Sequence, residues 1–539
     1  MKAIPSGGAR SRPASPPWTQ HLLLFALFFA VLMLLHAPLL RLPYFWDEAG
    51  YYIPAARDLL LTGTLIPHST PSNAHPPLVM AWLALAWKVA GYSSLVTRSA
   101  MLAVAAFTLL GLFRLSRLVT NLSVASATVL LTALYPVFFT QSSLAHVDLA
   151  AAGLTFWGLL AYLEDRPWST ALWFSLAVLA KETAIVAPMA LFGWELLALV
   201  MRSRRPDFFP SVARRSRAYT LLAPVLLLIC WYTYHYAKTG FLFGNPEFLR
   251  YNVTATLNPL RIPLALGLRI WEVFGYFSLY LLTAGAVLAM RRGAQVTAGV
   301  PRARIALWIQ LIFLVVLLAY LAFMSVVGGA VLARYMLPVV PLVILVLVST
   351  IWRRVRYWRL VVGLVAIAFV AGLFTNPPYG FAIEDNLAYR DYVVMHAEAE
   401  RLLALRYPKA RVLTAWPASD ELSRPWLGYV SPPLPVVRIE DFTPGQISIA
   451  AAASNQFDVA LVFSTKYQPS RPLLEDWLPW QNLKEKFFGY HRDLPPEDIA
   501  AQLGGKVVFQ KNSDGQWVAV IALEREQDAA LQKLTKQSR

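Results

Sequence analysis

The chain has 539 residues, 57% of them hydrophobic and only 15% charged, with a mean hydropathy of +0.50. Soluble proteins carry about 25% charged residues, so this composition excludes a string of soluble domains and places much of the chain in lipid. The net charge is +17, and its placement argues against nucleic acid as the partner. Fourteen arginines crowd three short stretches between apolar runs, at 202–217, 291–304 and 353–359, the pattern that keeps loops on the cytoplasmic side. With one cysteine, Cys230, no intrachain disulfide can form.

Residues 1–20 are rich in proline and serine and carry Lys2, Arg10 and Arg12. No small-residue cleavage site follows the next apolar run, so the sequence predicts a cytoplasmic tail and a retained first span at 21–40. Further spans are predicted at 98–113, 122–140, 148–163, 168–180, 183–200, 218–236, 265–290, 305–325, 336–352 and 359–375. The stretch 76–90 decides the topology. If it crossed, the arginine-rich loops would all face outward; if it lies on or dips into the outer leaflet, they all face inward. The second reading satisfies the charge rule and gives eleven spans, with 41–97 a long outer loop carrying short surface helices. Residues 168–200 are short for two spans of about 20 residues each, so they predict a tight hairpin. Its tip, Lys181-Glu182, would face a polar cavity or a partner. The loop 238–264, with Lys238, Glu247, Arg250, Arg261 and the sequon Asn252-Val253-Thr254, reads as solvated. Trp231, Tyr232, Tyr234 and Tyr236 read as an interfacial belt.

After Phe374 the pattern changes to charges, prolines and alternation. Strands are predicted at 411–415, 434–439, 457–463, 505–509 and 516–523, helices at 386–405 and 443–453, and a closing hairpin around Asn512-Ser513-Asp514-Gly515. The expected architecture is mainly α: a polytopic membrane helical bundle at 21–375, followed by an extracytoplasmic α/β domain at 376–539.

The chemistry-bearing residues cluster on the predicted outer face. Tyr44-Phe45-Trp46-Asp47-Glu48 sets two carboxylates directly after the first span, and Asn73-Ala74-His75-Pro76-Pro77-Leu78 opens the ambiguous stretch. Gln141-Ser142-Ser143-Leu144-Ala145-His146-Val147-Asp148 places an acid in an apolar setting, where it must be paired or wet. Leu179-Ala180-Lys181-Glu182-Thr183 and Arg334-Tyr335-Met336-Leu337-Pro338 supply cations. No phosphate-cradling glycine loop, zinc-spaced Cys/His set or GxSxG nucleophile is present.

In this order the motifs resemble those of GT-C glycosyltransferases, in the branch of protein O-mannosyltransferases and aminoarabinose transferases, over roughly residues 20–350. The resemblance implies a sugar transferase of the plasma (inner) membrane. Its donor would be a polyprenyl-phosphate sugar, its acceptor a lipid, glycan or protein, and membrane lipids its surroundings. It makes Asp47 the catalytic base, with Glu48 positioning the acceptor or tuning Asp47. It assigns Arg334, Lys181 and His75 to the lipid phosphate and Asp148 with His146 to substrate or metal. Glu182 then neutralises Lys181 or joins it, and Tyr335 belongs to the arginine motif. Some relatives carry Glu where this chain has Ala74, so no cofactor is certain and a divalent metal is left open. Two other readings compete: a transporter or flippase of lipid-linked substrates, and a membrane-anchored assembly protein working through its C-terminal domain. A transporter calls for mid-membrane charges and related halves. Here the charges gather at one face and the halves do not match, which favours the transferase.

Overall fold

The computed structural model describes residues 18–201, 215–246, 256–297, 299–469 and 477–523. The basic tail, Arg202, Arg204, Arg205, Arg214, Glu247, Arg250 and the sequon lie outside the described residues. Each expected apolar run forms helix. Among the described residues, five helices are long and apolar enough to cross a membrane: Ser94–Val119, Glu182–Met201, Ala218–Thr239, Arg261–Met290 and Leu307–Val326. Six shorter apolar helices accompany them, among them Thr19–Leu35, Asp148–Leu163 and Pro167–Ala180. The chain is a multi-pass membrane protein with a C-terminal sheet.

Local chemistry sets the helix ends. Ser93 and Asn121 cap the helices that follow them by accepting from Val96 N and Val124 N, each at 3.2 Å. Two predicted spans are broken. The run 122–140 divides into Leu122–Leu134 and Pro136–Gln141, because Pro136 has no N–H to continue the ladder. The run 265–290 starts earlier and divides into Arg261–Phe274 and Leu279–Met290. Phe277 and Ser278 take left-handed φ values of 43° and 66°, and the Trp271 ring lies 2.3 Å from where a Cβ on Gly275 would sit. Close helix contacts also depend on glycine: Gly153 meets Thr108 and Gly111 meets the Trp157 indole where no larger residue fits.

Two arginine-rich loops share one face of the bundle. Gln295 N donates to Arg353 O at 2.8 Å, and Arg302 Nη1 to Trp352 O at 2.6 Å. Helix Val340–Arg354 runs from this face to the turn holding Arg334, a length of about 22 Å.

The C-terminal sheet has the order Val436–Ile439, Val412–Ala415, Val459–Phe463, Gln516–Leu523, Gly505–Ser513. The first three strands are parallel and the last two join antiparallel through a hairpin at Asp514-Gly515. Val412–Ala415 and Val459–Phe463 are buried throughout, as strands covered on both faces must be. The expected helices appear as Ala388–Arg406 and Pro444–Ala452. Ala418–Ser423, Leu478–Phe488 and Pro496–Leu503 are additional; they are short, and their apolar period is weak in the sequence.

One apolar core fills the bundle, and a second joins residues of the 41–97 stretch to the sheet. This corrects the expectation of surface helices over 41–97. Tyr44, Phe45, Tyr51, Tyr52 and Ile53 are buried, because so many aromatics in sequence need cover. Gly50 lets the Trp416 indole approach to within 2.6 Å of a Cβ position. Leu78–Ala90 keeps an exposed apolar edge of Trp82, Leu85 and Val89. Arg261, expected in a solvated loop, is buried and donates to the Gly328 and Gly329 carbonyls at 3.1 and 2.8 Å. Trp231 of the expected belt is also buried, and its indole N–H donates to Ala74 O at 2.8 Å.

Candidate active site

Asp47 and His75 each follow a residue in the left-handed region, Trp46 at φ 41° and Ala74 at φ 58°. Non-glycine residues hold that conformation only where their surroundings impose it. The Trp46 ring is wedged against Tyr392 and Trp416, with centroids at 5.5 and 5.4 Å. This wedge aims Asp47 at Arg334, whose Nη2 donates to Asp47 Oδ2 at 2.5 Å. The Asp47 side chain is 31% exposed and that of Arg334 only 3%.

Arg334 organises the site. It lies in a 3-10 turn, Ala333–Met336, ahead of helix Val340–Arg354. Its Nη1 donates to Glu384 Oε1 at 2.5 Å and lies 3.1 Å from His146 Nδ1. Its Nε is 3.4 Å from Asp148 Oδ2, an ionic contact without hydrogen-bond alignment. Asp148 is the first residue of its helix, where the backbone dipole favours an anion. It accepts from Lys181 Nζ at 2.5 Å. Lys181 occupies an extended break between Pro167–Ala180 and the turn Glu182–Ile185, with Nζ 3.8 Å from the centre of the Tyr335 ring. Burial, and then the cations Arg334, Arg98 and Lys181, hold the His146 imidazole well below its usual pKa, so it is neutral. Its Nδ1 also lies 2.8 Å from Gln141 Oε1.

His75 and Glu182 form an adjoining pair, Nδ1 to Oε2 at 3.0 Å. The His75 ring packs on Tyr52, which in turn packs on His146, with centroids 5.8 and 5.7 Å apart. Seven of the nine residues singled out in the sequence therefore gather around Arg334 and Lys181 or adjoin through Tyr52 and Glu182, and Asp47 is the eighth.

Glu48 does not join them. It is fully buried and turned into a clasp with Arg98, which donates to Oε2 at 2.9 Å and closes a shorter bond to Oε1. Phe45 N and Ala145 N complete the clasp at 2.9 and 2.5 Å. The two neighbouring acids thus point to different partners. Glu384, by contrast, joins the site although no motif in the sequence marks it. Its sequence signal is the acid pair Glu384-Asp385 soon after the last apolar run. Burial drives its carboxyl up to about 7, against the pull of Arg334 and with the added push of Asp47 and Asp148.

The arrangement offers one partly open carboxylate, Asp47, backed by buried cations each already held by an acid. Arg334 contacts Asp47, Asp148 and Glu384, and Lys181 contacts Asp148, so each of these acids is met by a cation.

No family model and no curated protein sequence matches this chain. Among solved structures, ArnT from Cupriavidus metallidurans bound to undecaprenyl phosphate superposes with a TM-score of 0.52 at 14% identity, covering 93% of this chain and 98% of that one. It has the GT-C fold. The apo state of the same ArnT gives 0.51 at 13% identity with the same coverage. The Archaeoglobus fulgidus oligosaccharyltransferase in complex with Zn and sulfate gives 0.43 at 13% identity, covering 93% of this chain and 72% of that one, a likeness too distant to carry weight. Coverage of 93% means that the GT-C likeness includes the C-terminal sheet as well as the bundle.

Proposed function

We propose that this protein transfers a sugar from a polyprenyl-phosphate carrier to a lipid, glycan or protein acceptor at the non-cytoplasmic membrane face. The observation that carries this reading is the pairing of the partly exposed Asp47 with the buried Arg334, with Lys181 behind it. The GT-C fold supports it, since ArnT was crystallised with undecaprenyl phosphate. So does the arginine-rich face at the far end of helix Val340–Arg354, which orients the site outward. With eleven spans and 41–97 outside, the first outer loop and the region after 376 share that outer side.

In the reaction, the acceptor heteroatom bonds to the sugar's anomeric carbon while Asp47 takes its proton. The bond from that carbon to the phosphate oxygen breaks, and the electron pair leaves with the lipid phosphate. Arg334 stabilises the departing phosphate as protonation of Asp47 loosens their ion pair. Lys181 and His75 extend the cationic wall. Glu48, through Arg98, positions the loop rather than touching substrate.

A general base supplies roughly 10²- to 10⁴-fold. Asp47→Asn should therefore lower turnover by that factor while leaving lipid-phosphate binding within a few-fold. The test incubates the purified protein with polyprenyl-phosphate sugars and follows products and released lipid phosphate by mass spectrometry. Full turnover by the variant would remove Asp47 as the base. No transfer by the wild type from any lipid-phosphate sugar would end the reading.

A further inference from the structure

A second buried acidic cluster lies away from Arg334, in the region after the last span. Helix Ala388–Arg406 carries His396 and Glu400 four residues apart, hence on one face. Glu421 reaches them from Ala418–Ser423. All three are buried, at 1%, 0% and 0% exposure. His396 Nδ1 is 2.8 Å from Glu421 Oε2 and 3.9 Å from Glu400 Oε1, and one ligand atom from each residue lies within 4.8 Å of the other two. The imidazole is clamped between the rings of Tyr392 and Phe463, at 3.9 and 4.7 Å.

The cluster is under-satisfied. Among the described residues, no N–H or other fixed donor reaches either oxygen of Glu400, Glu421 Oε1 or His396 Nε2. Burying a carboxylate short of donors costs several kcal/mol; Glu400 has none of them and Glu421 only His396 Nδ1, so something must compensate the pair. A proton held between them would serve one oxygen of each and leave the rest bare. A divalent cation matches better: two carboxylates and a neutral imidazole sum to the opposite charge. Metal–ligand bonds of about 2.0–2.2 Å put tetrahedral ligand atoms roughly 3.4 Å apart. The observed separations, from 2.8 Å to within 4.8 Å, bracket that value, so shifts of under about 1 Å complete the set.

We infer that His396, Glu400 and Glu421 bind one divalent transition-metal ion, with zinc the best fit to one imidazole and two carboxylates. The ion would tie the long helix to the turn that follows Trp416. Trp416 packs on Trp46 and on Gly50, so the metal would brace the cover of the Asp47 loop without touching substrate.

The test uses the full chain purified in detergent without chelator. Elemental analysis should find one equivalent of metal per chain in wild type and in Asp148→Asn, and none in Glu400→Gln or Glu421→Gln. Stripping the wild type with phenanthroline should lower its unfolding midpoint, and added zinc chloride should restore it. The strip-and-restore arm stands even if a variant fails to fold. The inference is overturned by wild type that holds no metal and whose midpoint ignores zinc, the behaviour of a proton-sharing cluster. It is equally overturned if both glutamine variants keep the metal while Asp148→Asn loses it.

Discussion

Replacing Arg98 with methionine takes away the cation that Glu48 meets inside the protein while keeping most of the side-chain volume. The pair is shut off from solvent, at 1% and 0% side-chain exposure. Arg98 also donates to Ser143 O at 2.9 Å and Pro43 O at 3.2 Å, so it ties the loop carrying Asp47 to the segment leading to His146. Breaking one side of a buried ion pair costs about 3–5 kcal/mol, because the other charge is left uncompensated. At 2–4 °C per kcal/mol for a unit of some 150–250 residues, Arg98→Met should lower the midpoint of the unit formed by this loop and the sheet by about 6–20 °C. Calorimetry in detergent reads this, and limited proteolysis within residues 41–97 shows where the chain opens. Adding Glu48→Gln should restore about 1–2 kcal/mol, because the amide carries no charge to be left uncompensated and its one oxygen still accepts from either Phe45 N or Ala145 N, which bond different oxygens of the carboxylate. A single variant within about 2 °C of wild type, or a double variant no better than the single, would refute the view that this clasp holds the loop.

Two further outcomes are expected, alongside the loss of turnover in Asp47→Asn. Glu384 sits at about 7 against an ordinary 4.5, so between those values the folded chain keeps a proton that the unfolded chain has lost. Its contribution to stability is full below about pH 4.5 and is lost as pH rises through about 7. The drop in unfolding midpoint between about pH 5 and 8 should shrink in Glu384→Gln; an unchanged slope would show that Glu384 does not titrate there. Gly50→Ala drives a Cβ to 2.6 Å from the Trp416 ring and should cost about 1–3 kcal/mol. A shift in indole fluorescence should accompany that loss, and a variant with wild-type stability and spectrum would contradict the contact.

Much of this was readable beforehand, for identifiable reasons. Apolar runs declare helices, and Asp47, Asp148, Lys181 and Arg334 stand out because charge at the edge of an apolar run must be met by a partner. Adjacency misled at Glu48: in the turn Glu48–Tyr52 successive side chains point in different directions, so neighbours in sequence face different partners. Glu384 could not be placed, because its pairing with Arg334 spans 50 residues and depends on how the chain re-enters after the last span. His396 and Glu400 look like the polar face of an ordinary helix until Glu421 is folded against them. Of the two broken spans, the one at Pro136 was visible in principle. The one at Gly275 depends on where the Trp271 ring lies.

The roof over Phe45 and Trp46 is built from Tyr389, Tyr392 and Trp416, which belong to the last third of the chain. During synthesis at 5–20 residues per second, the segment carrying Asp47 leaves the ribosome roughly 20–70 s before Trp416 does. For that interval Phe45 and Trp46 lack this roof, and the loop can be completed only after the sheet has formed. Maturation of the site is thus set by the end of translation, and a nascent chain stalled before the sheet would display an apolar loop for chaperones or proteases to find.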